Sequence, residues 1–182
     1  AARAVKSVSP VFRVGGPATS SNRWIPEMIA HCAENDIPLD FISTHTYGVE
    51  GALDEFGRDL HRLIDDPDSI VRDVRRARQQ ILESAVPHLP LYYPEWSASY
   101  SSRDNIHDSY ISAPYILHHL KRIEGSVEAM SYWTFTDVFE ESGPAPTPFH
   151  GGFGMINLQG LKKPSFYAYE FYHALGSREL SC

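Results

Sequence analysis

Glu95 is the residue of this chain best placed to do chemistry. It lies in Leu91-Tyr92-Tyr93-Pro94-Glu95-Trp96-Ser97-Ala98-Ser99-Tyr100, where a short apolar strand delivers a carboxylate into an aromatic, hydroxyl-rich loop. Parallel barrels present nucleophiles in this way, because the packed interior stops at the C-terminal ends of the strands and side chains there can meet a ligand. The indole of Trp96 next to it suits a sugar, whose ring offers a flat apolar face. The alternative is a carboxylate that only satisfies backbone amides at a strand end.

Other segments end in groups that can line the same kind of pocket. In Ser43-Thr44-His45-Thr46-Tyr47, alternation puts His45 and Tyr47 on one side. They can hydrogen-bond a sugar hydroxyl or orient Glu95, or be a core histidine and a packed tyrosine. Tyr132-Trp133-Thr134-Phe135-Thr136-Asp137, followed by Phe139-Glu140-Glu141, sets an indole at a strand end with two carboxylates after it. Trp133 can floor a sugar ring, and Glu140 or Glu141 can accept paired hydrogen bonds from vicinal hydroxyls, unless the pair is a solvated loop feature. Gly15-Gly16-Pro17-Ala18-Thr19-Ser20 permits close approach of a ligand, but it is neither a dinucleotide fingerprint nor a Walker loop.

The elements that must position these groups alternate. Short apolar strands are expected at residues 11–14, 39–43, 89–93 and 129–135, each followed by polar loop residues and then a helical pattern. Ile25, Met28, Ile29 and Cys32 mark one helix face. Asp66-Pro67-Asp68 starts a second helix striped by Ile70, Val71, Val74, Ala77 and Ile81. Ile106, Tyr110, Ala113, Leu117 and Leu120 stripe a third, stopped at Gly125. Pro164 opens a fourth, with Tyr167, Ala168, Phe171 and Leu175 along it and Gly176 at its close. Such alternation implies an α/β chain with parallel strands and right-handed crossovers. The strand-to-helix loops at residues 48–65 and 136–163 are long and the return through Asn35-Asp36-Ile37-Pro38 is short, an asymmetry typical of a (β/α)8 TIM barrel. A whole barrel takes about 250 residues. Four units, after a leading helix fragment over Ala1 to Lys6, read as a partial barrel. Four parallel strands alone leave two unpaired edges and a bare face, so a partner is expected: the missing barrel half, a second copy, or further sequence.

Composition narrows the partners. The 182 residues carry a formal charge of −7 with no Lys/Arg run, which argues against nucleic acid or an anionic membrane surface. No apolar run reaches the roughly 18 residues of a membrane span. Two cysteines make no disulfide framework; Cys32 reads as a buried small hydrophobe and Cys182 as a loose end. No zinc spacing, H-E-x-x-H, EF-hand loop or G-x-S-x-G elbow occurs, and His107, His118 and His119 read as packing or surface residues. Carboxylate chemistry on a carbohydrate remains.

The runs Val14-Gly15-Gly16-Pro17-Ala18, Asp40-Phe41-Ile42-Ser43-Thr44-His45-Thr46-Tyr47, Pro94-Glu95-Trp96-Ser97, Tyr132 through Glu141, and Phe149-His150-Gly151-Gly152-Phe153-Gly154 together resemble glycoside hydrolase family 39. This is the family of retaining β-xylosidases and α-L-iduronidase, and the xylosidase branch is the nearer. The resemblance runs from about Ala1 to Gly176. It implies that residues 1–182 are the C-terminal half of a glycosidase barrel, strands 5 to 8, without the accessory β-sandwich. Glu95 would be the nucleophile at the end of the seventh strand. His45, Tyr47, Trp133, Glu140 and Glu141 would line the sugar subsite, with Phe149 bordering it. The family's acid/base sits in an Asn-Glu-Pro motif, which these residues lack. Pro94 also departs from the small hydroxyl residue expected before the glutamate. The implied function is retaining hydrolysis of β-xylosides, with no metal or other cofactor, since two carboxyl groups carry that mechanism. The alternative is a non-catalytic sugar-binding or scaffolding half-barrel that needs a partner chain.

Overall fold

The computed structural model describes residues 1–139, 141–176 and 178–180. It divides into two compact units, one of residues 1–48, 64–97 and 122–132, the other of residues 49–63, 98–121 and 133–182.

The first unit is α/β. Strands β1 (Gly15–Ser20), β2 (Phe41–Tyr47), β5 (Leu91–Ser97) and β6 (Ala129–Tyr132) form one sheet in the order β1-β2-β5-β6, every neighbouring pair parallel. Helices α1 (Ala2–Val8), α2 (Ile25–Glu34) and α3 (Ser69–Leu82) accompany it. The α2 face Ile25, Ile29 and Cys32 is buried, and burial raises the Cys32 thiol above its usual range. On α3 the whole expected stripe, Ile70, Val71, Val74, Ala77 and Ile81, is buried. Asp66 prepares that helix start, its carboxylate accepting from the Asp68 amide at 2.8 Å.

Polar groups tie this helix layer to the sheet. Thr46 donates to the Asp73 carboxylate at 2.7 Å, and the buried Tyr93 hydroxyl donates to Asn22 at 2.6 Å, while Asn22 donates in turn to the Asp73 carbonyl at 2.9 Å. Burial pushes the Tyr93 phenol well above its ordinary value, so it stays a donor. Lys6 of α1 meets Asp40 at 2.8 Å, and that ammonium and the Val14 amide hold the Asp40 carboxyl below its usual value.

The decisive local feature is a bulge in β5. From Ser43 to His45 on β2 is two residues, but their partners Tyr92 and Glu95 are three apart. On the other side Met130 and Tyr132 are two apart while their partners Tyr93 and Trp96 are three apart. The one position surplus to both neighbours is Pro94. A bulge leaves one residue outside the ladder, so proline's missing N–H costs little there. Side chains alternate across a strand, so a surplus residue exchanges the faces of everything after it. Before the bulge, Tyr93 points to α3 and Tyr92 to the opposite face, edge-on to Phe41 at 5.6 Å. After it, Glu95 shares the face of His45, and Trp96, partnered with Thr46, is buried on the helix side.

In the second unit, β3 (Val49–Leu53) and β4 (Asp59–Leu63) form an antiparallel hairpin where the sequence suggested a plain loop. Helix α4 (Ser112–Arg122) follows a 3-10 turn over Asn105–His107, and α5 (Pro164–Ala174) starts with proline in its first turn as expected. Their expected stripes are only partly covered, Ala168 alone among them being fully buried. α4 buries Ser112, Ile116 and His119 and leaves Tyr110 before it 80% exposed; α5 buries Ser165 and Ala168 and leaves Phe171 61% exposed. The spacing fixed which residues share a face and not which face is covered. The expected first strand at 11–14 also differs, since β1 begins at Gly15, and β2 and β5 run on through His45, Tyr47 and Glu95.

His107 is fully buried, its two ring nitrogens 2.8 Å from the Gly151 carbonyl and 3.0 Å from the Ser99 carbonyl. Burial lowers its pKa, against the pull of those two acceptors.

Two predictions follow from this packing. Inserting an alanine between Pro94 and Glu95 adds a second surplus position that a one-residue bulge does not absorb, and turns Glu95 into the dry helix-side layer, where an unpaired carboxylate costs several kcal/mol; denaturant unfolding is expected to show a loss above about 3 kcal/mol or no folding. Pro94→Ala keeps the residue count and is expected to lose only about 0.4–1 kcal/mol, through the freer unfolded chain; equal losses from the two changes would refute the register argument. The second prediction concerns acid. The unfolded chain protonates His107 near pH 6.5 and the folded chain only at lower pH, so its stability contribution is complete above about 6.5 and drains as pH falls through the folded value. His107→Gln should flatten that part of the melting-temperature profile, and an unchanged slope would count against it.

Candidate active site

Strand β2 places Phe41, Ser43, His45 and Tyr47 on one face by simple alternation, while Ile42, Thr44 and Thr46 are buried on the other. The Pro94 bulge brings Glu95 into register with His45 on that same face. Three groups predicted separately from two strands therefore meet. The Tyr47 hydroxyl donates to Glu95 Oε1 in a short hydrogen bond, and His45 Nδ1 lies 3.5 Å from Glu95 Oε2. The two side chains of the latter pair keep 21% and 26% of their exposure, so the carboxylate is fixed by its neighbours yet open to a ligand.

The arrangement limits the chemistry. Each carboxylate oxygen faces a different side chain, which sets the plane of the carboxyl group. Oε1 is engaged by the phenol, while the 3.5 Å gap at Oε2 is longer than a good hydrogen bond. A carboxylate held in one plane with one oxygen less engaged is suited to attack on carbon or to accepting a proton. Below it on the same face lies a hollow of about 330 Å³, lined by Arg13, Phe41, Tyr92 and Pro94 among others, with the Arg13 guanidinium 5.6 Å and 5.7 Å from the Phe41 and Tyr92 ring centres.

The remaining candidates lie in the second unit. Trp133 is half-buried and stands edge-on to Phe139 at 5.2 Å; Phe139 lies 6.2 Å from Phe153. The peptide between Trp133 and Thr134 is cis. Phe149 is 52% exposed and Glu141 is exposed. Glu140 lies outside the described residues.

Sequence reasoning missed a buried ion cluster in this unit. Lys163 is wholly buried, with Nζ 2.7 Å from Asp108, 2.7 Å from Asp137 and 2.9 Å from the Gly152 carbonyl. Asp137 stood in a quoted motif without a role, and Lys163 figured only as the last position of the long loop over residues 136–163. A signal was present in the glycines: a Cβ at Gly151 would sit 2.6 Å from the Arg103 backbone, and one at Gly154 would overlap the Asp137 amide. Such crowding implies a segment pressed against something fixed.

Comparison with known proteins places the chain in a family. The family model for glycosyl hydrolases family 39 matches residues 1–182. A beta-xylosidase of Geobacillus stearothermophilus is 39% identical over 185 residues, covering 98% of this chain and 36% of that protein. The crystal structure of a monomeric beta-xylosidase from Caulobacter crescentus CB15 superposes with a TM-score of 0.94 at 54% identity, over 100% of this chain and 37% of that one. The GH39 enzyme from Xanthomonas axonopodis pv. citri gives a TM-score of 0.93 at 57% identity, over 97% and 35%. The chain thus spans little more than a third of the length of these relatives. A match across the entire sequence, joined to an α/β unit with a mostly parallel sheet like that of its structural neighbours, means that this chain belongs to glycosyl hydrolases family 39.

Proposed function

We propose that the chain carries the nucleophile of a retaining glycosidase that hydrolyses β-xylosides, and that Glu95 is that nucleophile. The observation that carries the reading is the carboxylate of Glu95 held between Tyr47 and His45 on the open face of a parallel sheet. In a double displacement, Glu95 Oε2 attacks the anomeric carbon as the bond to the leaving oxygen breaks. Water then cleaves the resulting glycosyl ester. Tyr47 on Oε1 keeps the carboxyl plane aligned through both steps, and His45 flanks the attacking oxygen. Trp133, Glu140, Glu141 and Phe149 are assigned to binding the sugar. The substrate class is drawn from the relatives named beta-xylosidases.

The same reading makes residues 1–182 the part of a (β/α)8 barrel that supplies strands 5 to 8. Four parallel strands in chain order, helices against one face and a hollow on the other are what half of such a barrel would offer. The acid/base would then come from a carboxyl group outside these residues, about 5–5.5 Å from Glu95 in the assembled site.

The test is intact-mass spectrometry of the protein at its full natural length after exposure to an activated 2-deoxy-2-fluoro-xyloside. One stoichiometric adduct on the peptide containing Glu95 is expected, and none with Glu95→Gln. Tyr47→Phe is expected to slow labelling about 10–100-fold, the rate equivalent of the roughly 1.5–3 kcal/mol carried by a hydrogen bond to a charged group. A folded protein that binds xylose-type ligands equally well with and without Glu95 and takes no label would make the non-catalytic sugar-binding reading the better one.

A further inference from the structure

We infer that Lys163 is a positioning residue: its buried ammonium locks the segment carrying Trp133 and Phe139 to the segment carrying Phe149, and so shapes the part of the sugar site these rings supply. The assignment of those rings to sugar binding rests on the function proposed above; the locking does not.

The geometry is a three-way clamp. Lys163 Nζ reaches Asp137, four residues beyond Trp133 and two before Phe139, at 2.7 Å. It reaches the Gly152 carbonyl, three residues beyond Phe149, at 2.9 Å. Its third partner, Asp108 at 2.7 Å, belongs to the turn that precedes α4. Both carboxylates use their second oxygen to continue the clamp: Asp137 Oδ1 accepts from the Gly154 amide at 2.7 Å, and Asp108 Oδ2 from the Gly151 amide at 2.6 Å. Backbone bonds run alongside, from the Thr134 amide to the Phe153 carbonyl at 3.1 Å and from the Asp137 amide to the Ile156 carbonyl at 2.9 Å. One cation thus serves three segments that have no regular secondary structure of their own to hold them.

A purely stabilising role would be met more cheaply by apolar side chains, since a buried ion cluster is often matched or bettered by well-packed hydrophobic residues. What an ammonium between two carboxylates adds is direction. Each acid is fixed at both oxygens, and the amides of Gly151 and Gly154 are fixed with them. Rings on these segments then keep one spacing, as the Trp133–Phe139 contact at 5.2 Å and the Phe139–Phe153 contact at 6.2 Å do. Small displacements of positioning groups are known to cost about 10²-fold in rate or binding.

The experiment uses the protein at its full natural length and compares Lys163→Met with the charge-silenced triple variant Asp108→Asn, Asp137→Asn, Lys163→Met. The triple variant leaves no unpaired charge and guards against simple failure to fold. The first readout is hydrogen exchange by mass spectrometry. Peptides over residues 133–139 and 149–154 are expected to exchange about ten-fold faster or more in both variants, while β2 and β5 keep their rates. The second is kinetics on an aryl β-xyloside: KM is expected to rise about 10–100-fold, with the saturating rate of Glu95 labelling within about 3-fold of the parent. Rescue of neither variant by lowering the temperature would accord with lost direction rather than lost stability. Unchanged exchange in the two segments, or exchange that rises equally across β2 and β5 with KM unmoved, would overturn the inference. A parent protein that neither hydrolyses nor binds xylosides would refute the proposed function instead, and the exchange readout would still decide whether Lys163 locks the two segments.

Discussion

Everything chemical in the first unit depends on β5 holding one surplus residue outside its ladder. A strand offers its side chains alternately to two faces, and in this sheet one face is covered by helices. Glu95 and Tyr93 are two residues apart and in a regular strand would share a face. Here Tyr93 is buried against Asn22 and Asp73 while Glu95 meets His45 and Tyr47 on the other side. The bulge solves two problems at once: the carboxylate escapes the dry layer, where it would need a full set of partners, and the indole of Trp96 enters it. The position that absorbs the mismatch is occupied by the residue that has no ladder donor to lose.

The two units handle buried polarity in different ways. In the first, the fully buried donors between sheet and helix are neutral and reach amide and carboxylate acceptors, with Tyr93 and Thr46 converging on the Asn22–Asp73 pair. In the second, where long irregular segments must be held, the tie is an ammonium between two carboxylates. Irregular backbone has few partners of its own to satisfy its amides, so side chains take over that task. Charged acceptors do so with shorter, more directional bonds than neutral ones.

How much of this was legible in the sequence follows from the kind of signal each feature leaves. The α3 stripe and the α2 face were readable because five and three apolar residues recur at helical spacing on elements that pack against a sheet in the same unit. The partnership of His45, Tyr47 and Glu95 was legible as a set of strand-end groups. Its mechanism was not, because a bulge is a relation between three strands and leaves only a proline as its trace. The hairpin of β3 and β4 was missed: its strands mix glycine, acid and base, and the hydrophobic residues Leu53 and Leu60 are turned outward. On α4 and α5 the apolar periodicity was real but only partly covered: Ala113, Leu117 and Leu120 are half-buried and Ala168 is buried, while Tyr110, Tyr167, Phe171 and Leu175 face outward. Lys163 itself left no mark, since a buried lysine and an exposed one are the same letter until their partners are known; only the glycines pressed against its cluster hinted at it.

The glycines of the Phe149–Gly154 segment set a limit of another kind. Every amino acid that a glycine codon can reach by a single base change carries a Cβ. At Gly151 that atom would stand 2.6 Å from the Arg103 backbone on a residue with φ of +77°, and at Gly154 it would intrude on the Asp137 amide. Backbone cannot yield as a flexible side chain can. Drift at these two codons is therefore closed in every direction but the silent one, and the segment can change over evolutionary time only if the backbone it presses against changes with it.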